Sequence, residues 1–210
     1  MLALPDPPVQ LITGAWTDLD DLRSRVAAAL AGGIRWVQLR AKARPASELY
    51  AAAMLVAPML RESGGLFVVN DRVDIALASE ADGVHLPEDG MPVADARRLL
   101  GEQAWIARSV HSADAIAAMK GDPPCAVQYG PVFETASKRA YGQPKGTREL
   151  SAASDAAHSV GIPLVAVGGI TAGRVRDCRE HGADAVAVIG AIWDSDDVER
   201  AARDFIGKAG

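Results

Sequence analysis

The sequence predicts an α/β chain folded as a single-domain TIM, or (β/α)8, barrel, and three observations predict it. Short β-branched runs alternate with longer Ala/Leu/Arg-rich stretches at helical spacing. Most of the strand-like runs are continuously apolar rather than alternating, which suits strands buried on both faces of a parallel sheet. Eight such runs fit in 210 residues, or about 26 per strand–helix unit, which is compact beside the ~250 residues of a typical barrel. An open doubly wound sheet is the alternative, but it would leave two edges, and none of the eight strands looks blunted for one.

Taken in order, the first strand runs from Val9 to Thr13, and Asp18 is placed to cap a helix ending at Ala31. That helix sets Leu22, Val26, Ala27 and Leu30 on one face and stops at Gly32. Ile34 to Arg40 forms the second strand, followed by a similarly patterned helix from Ala46 to Glu62. The third unit pairs Leu66 to Asn70 with a short helix near Val73 to Ser79. Gly83 to Leu86 and a helix near Val93 to Leu100, ended by Gly101, make the fourth. Trp105 to Ser109 leads into a helix near Ser112 to Met119, with Ser112 as its cap. Ala126 to Gly130 is the sixth strand, and its helix spans Glu149 to Ser159 before Gly161. Pro163 to Val167 precedes a helix over Ala172 to His181, stopped by Gly182. Ala185 to Ile189 and a helix over Asp194 to Ile206 complete the chain. The long stretch without periodicity, Pro131 to Thr147, follows the sixth strand, where a barrel places a lid or binding loop.

Composition narrows the function. With 22 Lys+Arg against 27 Asp+Glu the net charge is −5, which argues against a nucleic-acid or anionic-membrane surface but not against a local basic pocket. Cys125 and Cys178 are too few for a disulfide framework or a four-thiolate zinc site. No apolar run reaches the ~18 residues of a membrane-spanning helix, and the N-terminus lacks the basic region of a signal peptide, so a cytoplasmic setting is expected. Trp16, Trp36, Trp105 and Trp193 could serve a core or a homo-oligomer interface, and periodicity does not choose.

In a barrel the C-terminal ends of the strands share one mouth. Here those ends are polar and cationic although the strands are apolar. They offer Gln38, Arg40 and Lys42, then Asn70-Asp71, His85 with Glu88-Asp89, and Arg108-Ser109 with His111. The loop after strand six adds Thr135, Ser137, Lys138 and Arg139. An anionic, phosphorylated ligand is expected from this cation supply. Gly168-Gly169 and Ile189-Gly190 follow strands seven and eight, where barrels often bind phosphate on backbone N–H groups; tight turns alone would also explain each pair. Gln38, Arg40 and Lys42 alternate and could face one side, or could be a solvated strand end. Asp71 could hold Mg²⁺ beside a phosphate or cap the third helix. His111 is the acid–base candidate; His85 suits a packed barrel position, and His158 and His181 suit helix C-termini.

These residues fall in blocks that together resemble the thiamine phosphate synthase/TenI family almost from end to end. The blocks are Leu11-Ile12-Thr13, Val37 to Lys42, Val69 to Ala76, Ala81 to Leu86, Gly130 to Phe133 with Thr135, Ser137 and Lys138, and Ile162 to Ile170 with Gly182-Ala183-Asp184. The resemblance implies a TIM barrel and one of two activities. Thiamine phosphate synthases join hydroxymethylpyrimidine pyrophosphate to thiazole phosphate with Mg²⁺ and release pyrophosphate. TenI-type proteins need no metal and aromatise a thiazole phosphate carboxylate by proton transfer. Gln38, Arg40, Lys42, Asn70, Asp71, Ser109, Thr135, Ser137 and Lys138 match or nearly match the synthase ligands. The synthase pattern Gly-Gln-Glu-Asp after the fourth strand is replaced by Pro87-Glu88-Asp89-Gly90, which puts Gly90 where a second Mg²⁺ carboxylate is expected. Arg108 to Ser112 and Phe133-Glu134-Thr135 look TenI-like. These departures favour the tautomerase, with His111 moving the proton, Ser109 and Lys138 positioning the ring, and the phosphate on Gly168, Gly169, Ile189 and Gly190. The synthase is the alternative, and a non-catalytic binding or regulatory protein is a third reading.

Overall fold

A computed structural model describes residues 3–41, 43–119, 121, 123–135 and 143–209. Its eight parallel strands are β1 (Val9–Ile12), β2 (Trp36–Leu39), β3 (Leu66–Asn70), β4 (Gly83–Leu86), β5 (Trp105–Val110), β6 (Ala126–Tyr129), β7 (Leu164–Val167) and β8 (Ala185–Val188). Each pairs with its neighbours in sequence and β8 pairs with β1, so the sheet closes and has no edge. The expected strands are all present; β3 and β4 keep their expected bounds, β5 runs one residue further, and the others are shorter by one to three residues. β2 is trimmed most, so Arg40 lies just beyond its end rather than in it.

Alternation divides the apolar residues into two cores. Ile12, Trp36, Val68, Trp105, Val165 and Ala187 belong to a cluster inside the barrel. Trp36 and Trp105 meet there edge to face, with ring centroids 5.6 Å apart. Their neighbours in the chain, such as Val37, Val69 and Ile106, pack outward in the larger cluster shared with the helices. Trp36, Trp105 and Trp193 are fully buried and Trp16 nearly so, which assigns all four to the core.

The helices are α1 (Leu19–Ala31), α2 (Ala46–Glu62), α3 (Val73–Ala78), α4 (Val93–Leu100), α5 (Ala113–Ala117), α6 (Gly146–Ser159), α7 (Val175–Glu180), α8 (Gly190–Trp193) and α9 (Val198–Ala209). Asp18 and Ser112 cap α1 and α5 as expected, accepting N–H bonds from Asp21 at 2.9 Å and from Ala115 at 3.2 Å. The eighth unit departs from expectation. Two helices replace the single one expected from Asp194, because Asp197 accepts the Arg200 N–H at 2.9 Å and starts α9 afresh. The seventh helix is likewise split, opening with a 3₁₀ turn over Ala172–Arg174. The sixth begins earlier, at Gly146, whose N–H donates to Val132 O at 2.9 Å and ties the end of the β6 loop to its start.

The N-terminal floor of the barrel carries two matching aspartates. Asp82 accepts the Phe67 N–H at 2.7 Å and returns its own N–H to Phe67 O at 2.9 Å. Asp184 does the same with Leu164, at 2.8 Å in both directions. His158 also reaches Asp184 at 2.8 Å and His181 pairs with Asp177 at 3.1 Å, so both histidines serve the framework. Cys125 and Cys178 are buried, and burial pushes the Cys178 thiol up to about 12, far from any nucleophilic state. No described helix is long and apolar enough to cross a membrane.

Candidate active site

The C-terminal ends of the strands open onto a cavity of about 800 Å³. Its floor is a polar layer inside an otherwise apolar barrel. Gln128 donates its amide to Gln38 at 3.1 Å and also to Gln10, and Gln38 donates in turn to Asn70 at 2.9 Å. Gln38 is only 1% exposed and both ends of its amide are engaged, so it acts by fixing Asn70. With its oxygen taken, Asn70 has its NH₂ donors left for a ligand. Arg40 lines the wall above, its backbone N–H held by Thr13 Oγ1 at 2.9 Å. Arg44 joins it, stacked 4.7 Å over the Trp16 ring; the sequence reading did not single this cation out.

Asp71 sits at the mouth in the left-handed region, φ 66°, with its N–H donated to His85 O at 2.8 Å. An L-residue in that conformation costs about 1–3 kcal/mol unless its surroundings hold it there, and such residues gather at functional sites. Asp71 does not cap the third helix. The residue before α3 is Arg72, which makes no side-chain cap bond, so the Asp71 carboxylate is left to line the cavity. Arg72 pairs instead with Asp74 at 2.6 Å, and that hydrogen bond holds the Asp74 carboxyl below its usual range.

His85 is buried as expected, yet it also reaches the cavity. Its Nε2 and Ser109 Oγ are 2.8 Å apart. His111 lies beyond Ser109 with Nδ1 2.8 Å from Gly130 O, which fixes the neutral tautomer as Nδ1–H and gives the lone pair to Nε2. Glu88 faces this histidine twice. It accepts the His111 backbone N–H at 3.1 Å and places its other oxygen 3.9 Å from Nε2. The sequence places Glu88 at the mouth but does not show its partnership with His111, which lies on the next βα loop. Arg108, expected among the ligand-facing cations, instead clamps that loop, donating to Met91 O at 3.1 Å and to Glu88 O.

Beside the cavity lies a second hollow of about 360 Å³. Val167 and Ile189 line both, so the two spaces adjoin along a shared wall. Thr135, Gly168, Gly169, Ile189 and Gly190 line the smaller one. A Cβ on Gly168 would lie 2.6 Å from Pro131 Cα, and one on Gly169 2.4 Å from Glu134 O. Glycine is thus required by the close approach of the β6 loop as well as by any ligand. α8 starts at Gly190, and the first N–H groups of a helix have no acceptor within it. Lys42, Ser137, Lys138 and Arg139 lie outside the described residues.

Among the described residues no nest of three His, Cys, Asp or Glu side chains exists. Asp71 and Asp89 both line the cavity, which fits a Mg²⁺ that takes one or two carboxylates and draws its other ligands from substrate phosphate and water. Gly90 itself carries no carboxylate, and its turn leaves little room for a side chain. Pro87 to Gly90 is a tight turn closed by a 3.1 Å bond, and a Cβ at Gly90 would lie 2.7 Å from the Pro87 ring.

Fold and mouth together define a (β/α)8-barrel enzyme whose site sets a large charged cavity beside a glycine-lined hollow. Residues 9–192 match the thiamine monophosphate synthase family, and the chain belongs to that family. A Geobacter sulfurreducens protein, described provisionally as a thiamine-phosphate synthase, is 44% identical over 182 residues, 86% of this chain and 84% of that one. The thiamine-phosphate synthase of Methanoculleus marisnigri is 42% identical over 175 residues, 83% of this chain and 82% of that one. Among solved structures, thiamine phosphate pyrophosphorylase from Pyrococcus furiosus superposes with TM-score 0.82 at 30% identity, covering 96% of this chain and 94% of that one. These names side with the synthase rather than with the tautomerase that the sequence departures favoured.

Proposed function

We propose that the protein is a thiamine-phosphate synthase, joining hydroxymethylpyrimidine pyrophosphate to thiazole phosphate with release of pyrophosphate. The observation that carries this reading is that a large charged cavity and a glycine-lined hollow lie side by side, sharing Val167 and Ile189 as wall, which suits two substrates bound next to one another. The thiazole phosphate would lie on the backbone N–H groups near Gly168, Gly169 and Gly190. The pyrimidine pyrophosphate would fill the larger cavity, with Arg40, Asn70, Lys42 and Lys138 on the leaving group. The methylene–oxygen bond to pyrophosphate breaks with its electron pair, and the thiazole nitrogen supplies the pair for the new C–N bond. Donors set in advance around the departing oxygens stabilise the charge that develops there. Asp71 and Asp89 would hold Mg²⁺, which when bound neutralises pyrophosphate charge. Ser109, paired with His85, would position the pyrimidine.

Incubating the protein with both substrates, with and without Mg²⁺, tests the reading. Mg²⁺-dependent thiamine phosphate is the expected product; folded protein that makes none removes it.

A specific observation supports a second reading, the thiazole tautomerase. His111 has a fixed tautomer and a carboxylate facing the nitrogen that would take up a proton. It would take the proton from a ring carbon and return it to the exocyclic carbon, with no metal involved. His111→Asn should then abolish turnover of the thiazole phosphate carboxylate tautomer, and a variant retaining the wild-type rate removes the histidine from that role.

A further inference from the structure

The smaller hollow contains a charge that neither reading uses. Glu134 and Asp194 both line it, and the Asp194 carboxylate lies 2.7 Å from where a Gly190 Cβ would be. Two carboxylates beside a phosphate cradle oppose its ligand. Arg174 is the one cation among the described residues that line the hollow. It stands at the end of the 3₁₀ turn after β7. Its guanidinium is stacked 4.5 Å over the Phe133 ring, and Nη1 donates to Gly169 O at 2.7 Å. Gly169 O is the acceptor the guanidinium has among the described residues. A ring on one side and a carbonyl on one edge hold the fork in place while leaving other donors to an anion.

We infer that Arg174 is the phosphate-recognition residue of this hollow, held by Phe133 and the Gly169 carbonyl. It makes the hollow select a thiazole phosphate ester over the corresponding alcohol by offsetting Glu134 and Asp194. The inference rests on the reading that thiazole phosphate binds there, but not on which reaction follows, because both substrates carry that phosphate.

The test is calorimetric binding of thiazole phosphate and of thiazole alcohol to the wild-type protein and to Arg174→Ala and Arg174→Lys. Arg174 is exposed, so both variants are expected to fold, as circular dichroism would check. Arg174→Ala should weaken phosphate binding ~10- to 100-fold and leave alcohol binding within ~2-fold. Arg174→Lys, which keeps the charge and loses the fork, should fall between. Phe133→Leu should reproduce part of the loss by removing the stacking face. Equal phosphate affinity in wild type and Arg174→Ala overturns the inference while leaving the proposed function standing. A wild-type protein that binds no thiazole phosphate overturns both. If Arg174→Ala is misfolded, Arg174→Lys and Phe133→Leu decide the matter, since wild-type affinity in both refutes the inference.

Discussion

The two halves of the mouth handle charge by different means. From β1 to β5 the cavity presents side chains: Arg40, Asn70, Asp71, Asp89 and the Glu88–His111 pair. From β6 to β8 the hollow presents backbone thinned to glycine at Gly168, Gly169 and Gly190, with Arg174, Glu134 and Asp194 as its charged side chains. A side-chain site can lose one function at one position, as at Gly90, while its neighbours persist. A backbone site has no such graded failure, because any Cβ at Gly169 meets the carbonyl of Glu134.

The largest expected effect tests the backbone half. Gly169→Ala places a side chain at φ 64° and 2.4 Å from Glu134 O. Displacement of the loop by about an ångström should cost ~100-fold in kcat/KM for thiazole phosphate. An alanine variant with normal kinetics would break the contrast. Next comes the side-chain half. Asp71→Asn should raise the Mg²⁺ concentration needed for half-maximal synthase activity ~10- to 100-fold, read from a metal titration. An unchanged titration would mean that Asp71 serves only its strained turn.

A smaller effect is expected at Glu88. Glu88→Gln keeps an acceptor for the His111 N–H but removes the charge facing Nε2. It should lower tautomer turnover about tenfold and leave synthase turnover within ~2-fold, with initial rates on both substrates deciding. The least effect belongs to Asp74 in the rim pair with Arg72; Arg72 lines the large cavity, and Asp74 lines neither space. The Asp74 carboxyl is held below its ordinary value of 3.8, so its contribution to stability is present above that pH and lost as the pH falls through the lowered value. Because the Asp74 side chain is 65% exposed, Asp74→Asn should cost less than ~0.5 kcal/mol in urea melts at neutral pH, and less still near pH 3.

What could be read in the sequence follows the same division. The eight strands were legible because their faces are mostly buried and their runs mostly apolar, broken by polar residues such as Gln10, Gln38, His85 and Gln128. Capping aspartate and serine at Asp18 and Ser112 were legible because the cap bond is local. The start of α9 was not, because Ser195, Asp196 and Asp197 offer three neighbouring cap candidates and only the fold selects Asp197. In the site, Asn70 and Asp71 could be placed at the mouth from their position at a strand end. The roles of Glu88 and Arg174 were not legible, since each acquires its meaning from a partner on a different βα loop: His111 in one case, Phe133 in the other. Arg108 was misread for the same reason; its partners Glu88 and Met91 belong to the preceding loop.

The paired aspartates of the floor bear on how such a mouth can vary. Asp82 locks β3 to β4 and Asp184 locks β7 to β8, four strands further round a ring of eight. Slippage of one strand past the next is therefore opposed at diametrically opposite points, both at the far end from the chemistry. A ring pinned in this way keeps its circumference whatever happens at its rim. A turn such as Pro87 to Gly90 can exchange a carboxylate for a bend without altering the geometry that the remaining ligands inherit.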